Sequence, residues 1–177
     1  MGVTPASFDL GHILSNIPQA EFSMNGFDDR LRLQKIIYTL QAFGVYLGYD
    51  FLWYIRGPYC TTLTQKGFEL SKFYTDLEDV DIKFCTQKAE KGFKNAKAFL
   101  KMLDKDVKLV GLNFTDKLEI ATSIHLLRVD TTLSHDDIFE KVANKQERFK
   151  VEHCEKIYDM LKKQKMLNED GMIVKPK

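Results

Sequence analysis

Ala89, Phe93, Ala96, Leu100, Leu103 and Val107 recur at steps of 4, 3, 4, 3 and 4. That spacing lays six apolar side chains on one stripe of an α-helix about five turns long. An amphipathic helix is held in water mainly by what covers its apolar face, so the rest of the chain must supply helices or a sheet to close over it. Gly92 lies inside the pattern and weakens it slightly. The opposite face carries Lys91, Lys94, Lys97, Lys101, Lys105 and Lys108 as one row.

The covering elements read as further helices. Asp28 and Asp29 suit a helix N-terminus, where carboxylates meet unpaired N–H groups and the positive end of the dipole. Leu33, Ile36, Ile37, Leu40 and Phe43 then follow at helical spacing until Gly44 offers a stop. Thr61 or Thr62 caps a helix through Leu63, Gly67, Phe68 and Leu70 toward Phe73. After the striped helix, Thr115 or Asp116 opens another, with Leu118, Ala121, Ile124 and Leu126 or Leu127 facing inward. Ser134 to Asp137 starts one with Ile138, Phe139 and Val142. A last long helix over residues 150–164 buries Val151, Cys154, Ile157 or Tyr158, and Leu161.

Two segments break the helical pattern. Phe51 to Arg56 is aromatic and β-branched and ends at Gly57-Pro58, which predicts a strand followed by a turn. Residues 166–174 place Asp170-Gly171 between short apolar pieces, a hairpin signal beside the last helix that resembles a wing. The fold class expected is therefore mainly α (α+β): a helical domain over residues 28–177 with a short aromatic strand and a small C-terminal wing-like hairpin. An N-terminal segment, residues 1–27, leads into it, with Ile13, Leu14 and Ile17 making one or two helical turns.

Chemistry-bearing patterns are sparse. Cys60, Cys85 and Cys154 are an odd, scattered set with no CxxC, read as reduced thiols in a cytoplasmic protein. His12, His125, His135 and His153 have no partner at metal-ligand spacing. Cys60 near the strand end has no evident base, and neither GxxxxGK[ST] nor GxGxxG occurs. No catalytic residue, metal or cofactor is expected. No basic n-region with an apolar stretch opens the chain and no window reaches membrane-span length, so neither secretion nor a membrane role is expected.

Binding is the remaining class. The formal net charge of the whole 177-residue chain is only +1, which gives no global pull toward nucleic acid. Locally, however, residues 83–108 hold eight lysines against Glu90, Asp104 and Asp106. That row either stays solvated or docks a phosphate backbone or an acidic protein, each contact adding a salt-dependent, sequence-blind term. The aromatic strand reads either as core or as an anchor for a partner protein, since aromatics and Arg dominate interface hot spots. Alternation leaves Tyr54, Arg56 and Tyr59 as its exposed members.

Arg32-Leu33-Gln34-Lys35-Ile36-Ile37-Tyr38, then Phe51-Leu52-Trp53-Tyr54 and Arg56-Gly57-Pro58-Tyr59-Cys60-Thr61-Thr62-Leu63, resembles the Leu-Gln-Lys and Gly-Pro-Tyr signature of the YwgA-like family and the related Panacea antitoxin domains. Residues 116–127, Asp136-Asp137-Ile138, Phe149 and the final helix resemble the second half of that family, giving coverage of about residues 28–167. Cys60 stands where that family usually has Ser, and Gln146-Glu147-Arg148 where Lys-Pro is common. The resemblance implies a helical domain whose Leu-Gln-Lys helix packs beside the strand ending at Gly-Pro-Tyr. It also implies a non-catalytic role in a prokaryote or mobile element: neutralising a toxin, or serving as adaptor or regulator. Gln34, Lys35, Tyr54, Gly57, Pro58 and Tyr59 match its pattern; with Arg56 they form the expected partner-binding set. A structural account fits the same motif, with Gly57 allowing an unusual backbone angle, Pro58 fixing the next and Gln34 or Lys35 bonding the turn carbonyls. The rival reading is a winged-helix-like nucleic-acid regulator using the lysine face. Either is compatible with a homodimer.

Overall fold

In a computed structural model, which describes residues 5–76 and 82–167, the covering helices surround one element. The chain runs through α1 (Pro5–Ser15), α2 (Phe27–Ala42), β1 (Leu52–Tyr54), β2 (Gly57–Tyr59), α3 (Thr61–Leu70), α4 (Gln87–Lys105), α5 (Phe114–Asp130), α6 (His135–Ala143) and α7 (Val151–Lys163). It is mainly helical, with one small antiparallel sheet among the described residues. Most of the buried apolar residues, from Leu10 to Leu167, share a single hydrophobic cluster. No described helix is long and apolar enough to cross a membrane.

The helix signals act as chemistry requires. Asp29 Oδ2 accepts from Gly26 N–H at 3.0 Å at the head of α2, and the resulting stabilisation holds the Asp29 carboxyl below the usual carboxylate range. At the other end Gly44 takes φ +90° and Val45 N–H reaches back to Leu40 O at 3.0 Å, a left-handed stop that satisfies orphan carbonyls. Ser134 and Asp137 cap α6 reciprocally, and Thr86 Oγ1 accepts from Ala89 N–H at the start of α4. Phe93, Ala96, Leu100 and Leu103 are buried as the stripe requires.

Several expectations change. Val107 is 86% exposed, because α4 stops at Lys105 with Asp106 as its C-cap, so the stripe ends a turn early. Val151 is exposed at the first turn of α7, where His153 is buried instead. The N-terminal segment holds an eleven-residue helix, α1, whose Leu10 and Leu14 enter the core. Gly92 is required rather than merely tolerated, since a Cβ there would stand 2.4 Å from Phe43 O. The expected wing-like hairpin falls largely on residues 168–177, outside the described residues.

Gly57-Pro58 is not a turn after a strand but the start of the returning strand: Tyr54 pairs with Gly57, Trp53 with Pro58 and Leu52 with Tyr59. The turn is Ile55-Arg56. Gly57 takes φ +86°, a left-handed angle that closes the tight turn and that only glycine adopts cheaply.

Helix α5 is the centre. It packs against α2, α4, α6, α7 and both strands, and every residue from 115 to 127 is buried, polar ones included. Its sequence shows no single apolar face because it has no solvent side through this stretch.

Candidate functional site

The expected partner-binding residues come together. Gln34, Lys35, Tyr54, Arg56, Gly57, Pro58 and Tyr59 all line one cleft of about 300 Å³, completed by Phe27, Arg30, Leu31, Ile55 and Thr64. They split by depth. Phe27, Tyr54 and Ile55 are 56%, 57% and 72% exposed, whereas Lys35 is 1% exposed. Gln34 is buried as well, so neither it nor Lys35 is a surface group; both hold the hairpin from behind.

Their bonds show how. Lys35 Nζ donates to Pro58 O at 2.7 Å. Gln34 accepts from Cys60 N–H at 2.8 Å and donates to Cys60 O and Thr64 Oγ1, each at 2.9 Å. The amide thus replaces a missing strand neighbour for the backbone between β2 and α3. Thr64 Oγ1 in turn donates to the Tyr59 hydroxyl at 3.1 Å, and the Tyr59 and Tyr54 rings lie 5.4 Å apart.

Beneath the hairpin lies a charge cluster whose other members the sequence did not single out. Glu119, on α5 and fully buried, receives Arg56 through Nε at 2.7 Å, with Nη2 at 2.6 Å from the same Oε2. Glu119 Oε1 and the hydroxyl of Ser123 carry no hydrogen bond among the described residues. Lys145, in the segment after α6, donates to Tyr54 O at 3.2 Å and to Ile55 O, and its ammonium sits 4.1 Å from the Trp53 ring centroid. Burial pushes Lys35 down to about 7 against the pull of Glu119, and burial likewise brings Lys145 down to about 8. Arg148 grips Asp116 at the N-terminus of α5 at 2.6 and 2.8 Å, a fork that raises the guanidinium's proton affinity.

These partners left a faint trace. Glu119, Ser123 and His125 lie among the apolar positions of α5 rather than on a separate polar face, so the helix lacks the two-faced pattern of an ordinary surface helix. Nothing local marks Lys145, whose contacts lie about ninety residues back in the chain.

The lysine row is placed differently. Lys91, Lys94, Lys101 and Lys105 are exposed on α4, Lys97 is half-buried beside the Phe93 ring, and Lys108 lies beyond the helix end. Lys94 pairs with Glu90 at 2.7 Å. Among the described residues no group of three or more His, Cys, Asp or Glu side chains is arranged to hold a metal ion. The chain matches no protein-family model, no curated protein and no solved structure.

Proposed function

We propose that this protein is a non-catalytic protein-binding domain, antitoxin-like or adaptor-like, whose partner surface is the hairpin of β1 and β2 with the cleft beside it. The observation that carries the reading is a mismatch of exposure and rigidity. The hairpin presents Tyr54 and Ile55 to solvent, yet its backbone is held by side chains of α2 and the segment after α6, and Arg56 in its turn is held by α5. A two-stranded ribbon has little stability alone, and burying ions to fix one is costly. Fixing exposed aromatic and aliphatic side chains in advance lowers the ordering cost of binding. The reading places the protein in the cytoplasm of a prokaryote or of a cell carrying a mobile element, with a toxin or a regulated protein as partner.

The test is affinity capture from the native cell at low salt with the wild type and with a Tyr54→Ala/Ile55→Ser variant. Both altered side chains are exposed, so cooperative urea unfolding is expected to persist while the stoichiometric partner disappears. Capture of the same partner by the variant sinks the reading.

The lysine face supports a second reading as a nucleic-acid-binding surface, because Lys91, Lys101 and Lys105 are exposed and carry no ion pair among the described residues. Changing Lys91, Lys101 and Lys105 to Gln would flatten a steep salt dependence of nucleic-acid affinity if that reading holds.

A further inference from the structure

The cleft beside the hairpin is one-sided in charge. Three cationic side chains line it, Arg30, Lys35 and Arg56, and no acidic one. Glu119 lies behind it, with Arg56 bound to one of its oxygens, and Lys35 and Lys145 also lie within its electrostatic reach. Arg56 donates Nε to Glu119 Oε2 and brings Nη2 within 2.6 Å of the same oxygen as an ion pair, without hydrogen-bond geometry. Its Nη1 makes no hydrogen bond among the described residues, and its guanidinium carbon stands 5.6 Å from the exposed Phe27 ring centroid. Arg30 uses Nη1 on the carbonyls of Met24 and Asn25. A guanidinium edge in a partly enclosed cleft is attracted to an anion more strongly than one in open water, and its planar fork suits a carboxylate. The rim is apolar: Phe27, Tyr54 and Ile55 are exposed on it.

We propose that the cleft receives an acidic segment of the partner protein, an Asp or Glu carboxylate lodging on Arg56 and Arg30 while a neighbouring aromatic or aliphatic side chain covers Phe27, Tyr54 and Ile55. This rests on the protein-binding reading above and names the chemistry of what binds. Carboxylate and apolar side chain must come from one short stretch, since a cleft of about 300 Å³ admits only a few side chains.

The experiment is selection of a random peptide library displayed on phage against the full chain, followed by affinity measurement on the selected peptide. Enriched sequences are expected to carry Asp or Glu beside Leu, Ile, Phe, Tyr or Trp. Replacing that acid by its amide, or making Arg30→Gln or Arg56→Gln, should weaken binding roughly tenfold or more at low salt, and the difference should shrink as salt rises. Arg56→Gln also strips Glu119 of its partner, so Arg30→Gln, which disturbs only two carbonyl contacts, is the decisive variant if the other unfolds. Enriched peptides without acids that are lost in the Tyr54→Ala/Ile55→Ser variant would overturn the acidic chemistry and leave the protein-binding reading standing. No enrichment, with the partner still captured from cells, would overturn it as well. Dimerisation in sedimentation that Arg30→Gln abolishes would assign the cleft to a second copy and overturn it too.

Discussion

Lys35 Nζ stands 2.7 Å from the carbonyl oxygen of Pro58, an ammonium 1% exposed holding a backbone oxygen of the strand that returns from the turn. The bond ties the middle of α2 to the hairpin, and its strength depends on the lysine keeping its proton in a place that resists charge.

The pH dependence follows. The unfolded lysine titrates near 10.5, the folded one near 7, so between those values the unfolded chain binds the extra proton. Stability therefore rises with pH across this window, by up to ~1.4 kcal/mol per pH unit for the one group, and the penalty is fully present below about pH 7. Lys145 acts with the same sign above about pH 8, more weakly because it is only half-buried. Urea unfolding of the wild type should show this rise from about pH 7 to 9.5, and Lys35→Met should lose most of it. Parallel profiles would show that Lys35 keeps an ordinary proton affinity.

Gly57→Ala meets two obstacles of different kinds. The new Cβ would stand 2.3 Å from Ser123 Oγ, 3.3 Å from Lys35 Nζ and 3.5 Å from Ser123 Cβ, and the backbone there is left-handed. The single variant should lose more than ~2 kcal/mol. Adding Ser123→Ala removes the clashing oxygen, so the double variant should recover part of the loss and keep roughly 1 kcal/mol of backbone strain. Ser123→Ala alone should be near neutral, because its hydroxyl has no partner to lose. Chemical denaturation of the three variants separates the two costs.

Glu119→Ala leaves Arg56 and the buried Lys35 without their carboxylate and should cost ~3 to 5 kcal/mol. An Arg56→Met/Glu119→Leu pair removes both ions and should recover most of that. A double variant no better than Glu119→Ala would locate the loss in packing rather than charge.

Gly92→Ala tests propensity against close approach. Alanine in a helix interior normally gains about 1 kcal/mol over glycine, but the Cβ would press on the backbone oxygen of Phe43. Melting temperature should fall; a rise would mean that α4 can shift away from α2 freely.

How far the sequence reached depended on the range of each interaction. The ends of α2 were legible because Asp29 and Gly44 act on neighbours three to five residues away, and the stripe of α4 because its period is local. The hairpin was misread because Gly-Pro is the usual mark of a turn, whereas here Pro58 pairs with Trp53 and the turn falls on Ile55 and Arg56, which carry no turn signal. Gln34 and Lys35 were legible as hairpin supports, since the motif named both partners. Glu119, Ser123 and Lys145 were not, because what makes each matter is a group 63 to 91 residues distant in the chain, and no periodicity encodes that.

The central place of α5 sets an order on synthesis. As the chain leaves the ribosome, Lys35 and Arg56 emerge more than sixty residues before the Glu119 carboxylate that faces them, and α2 and α4 before α5, against which both pack. The hairpin therefore gains its full set of supports only after synthesis has passed Glu119 and then Lys145.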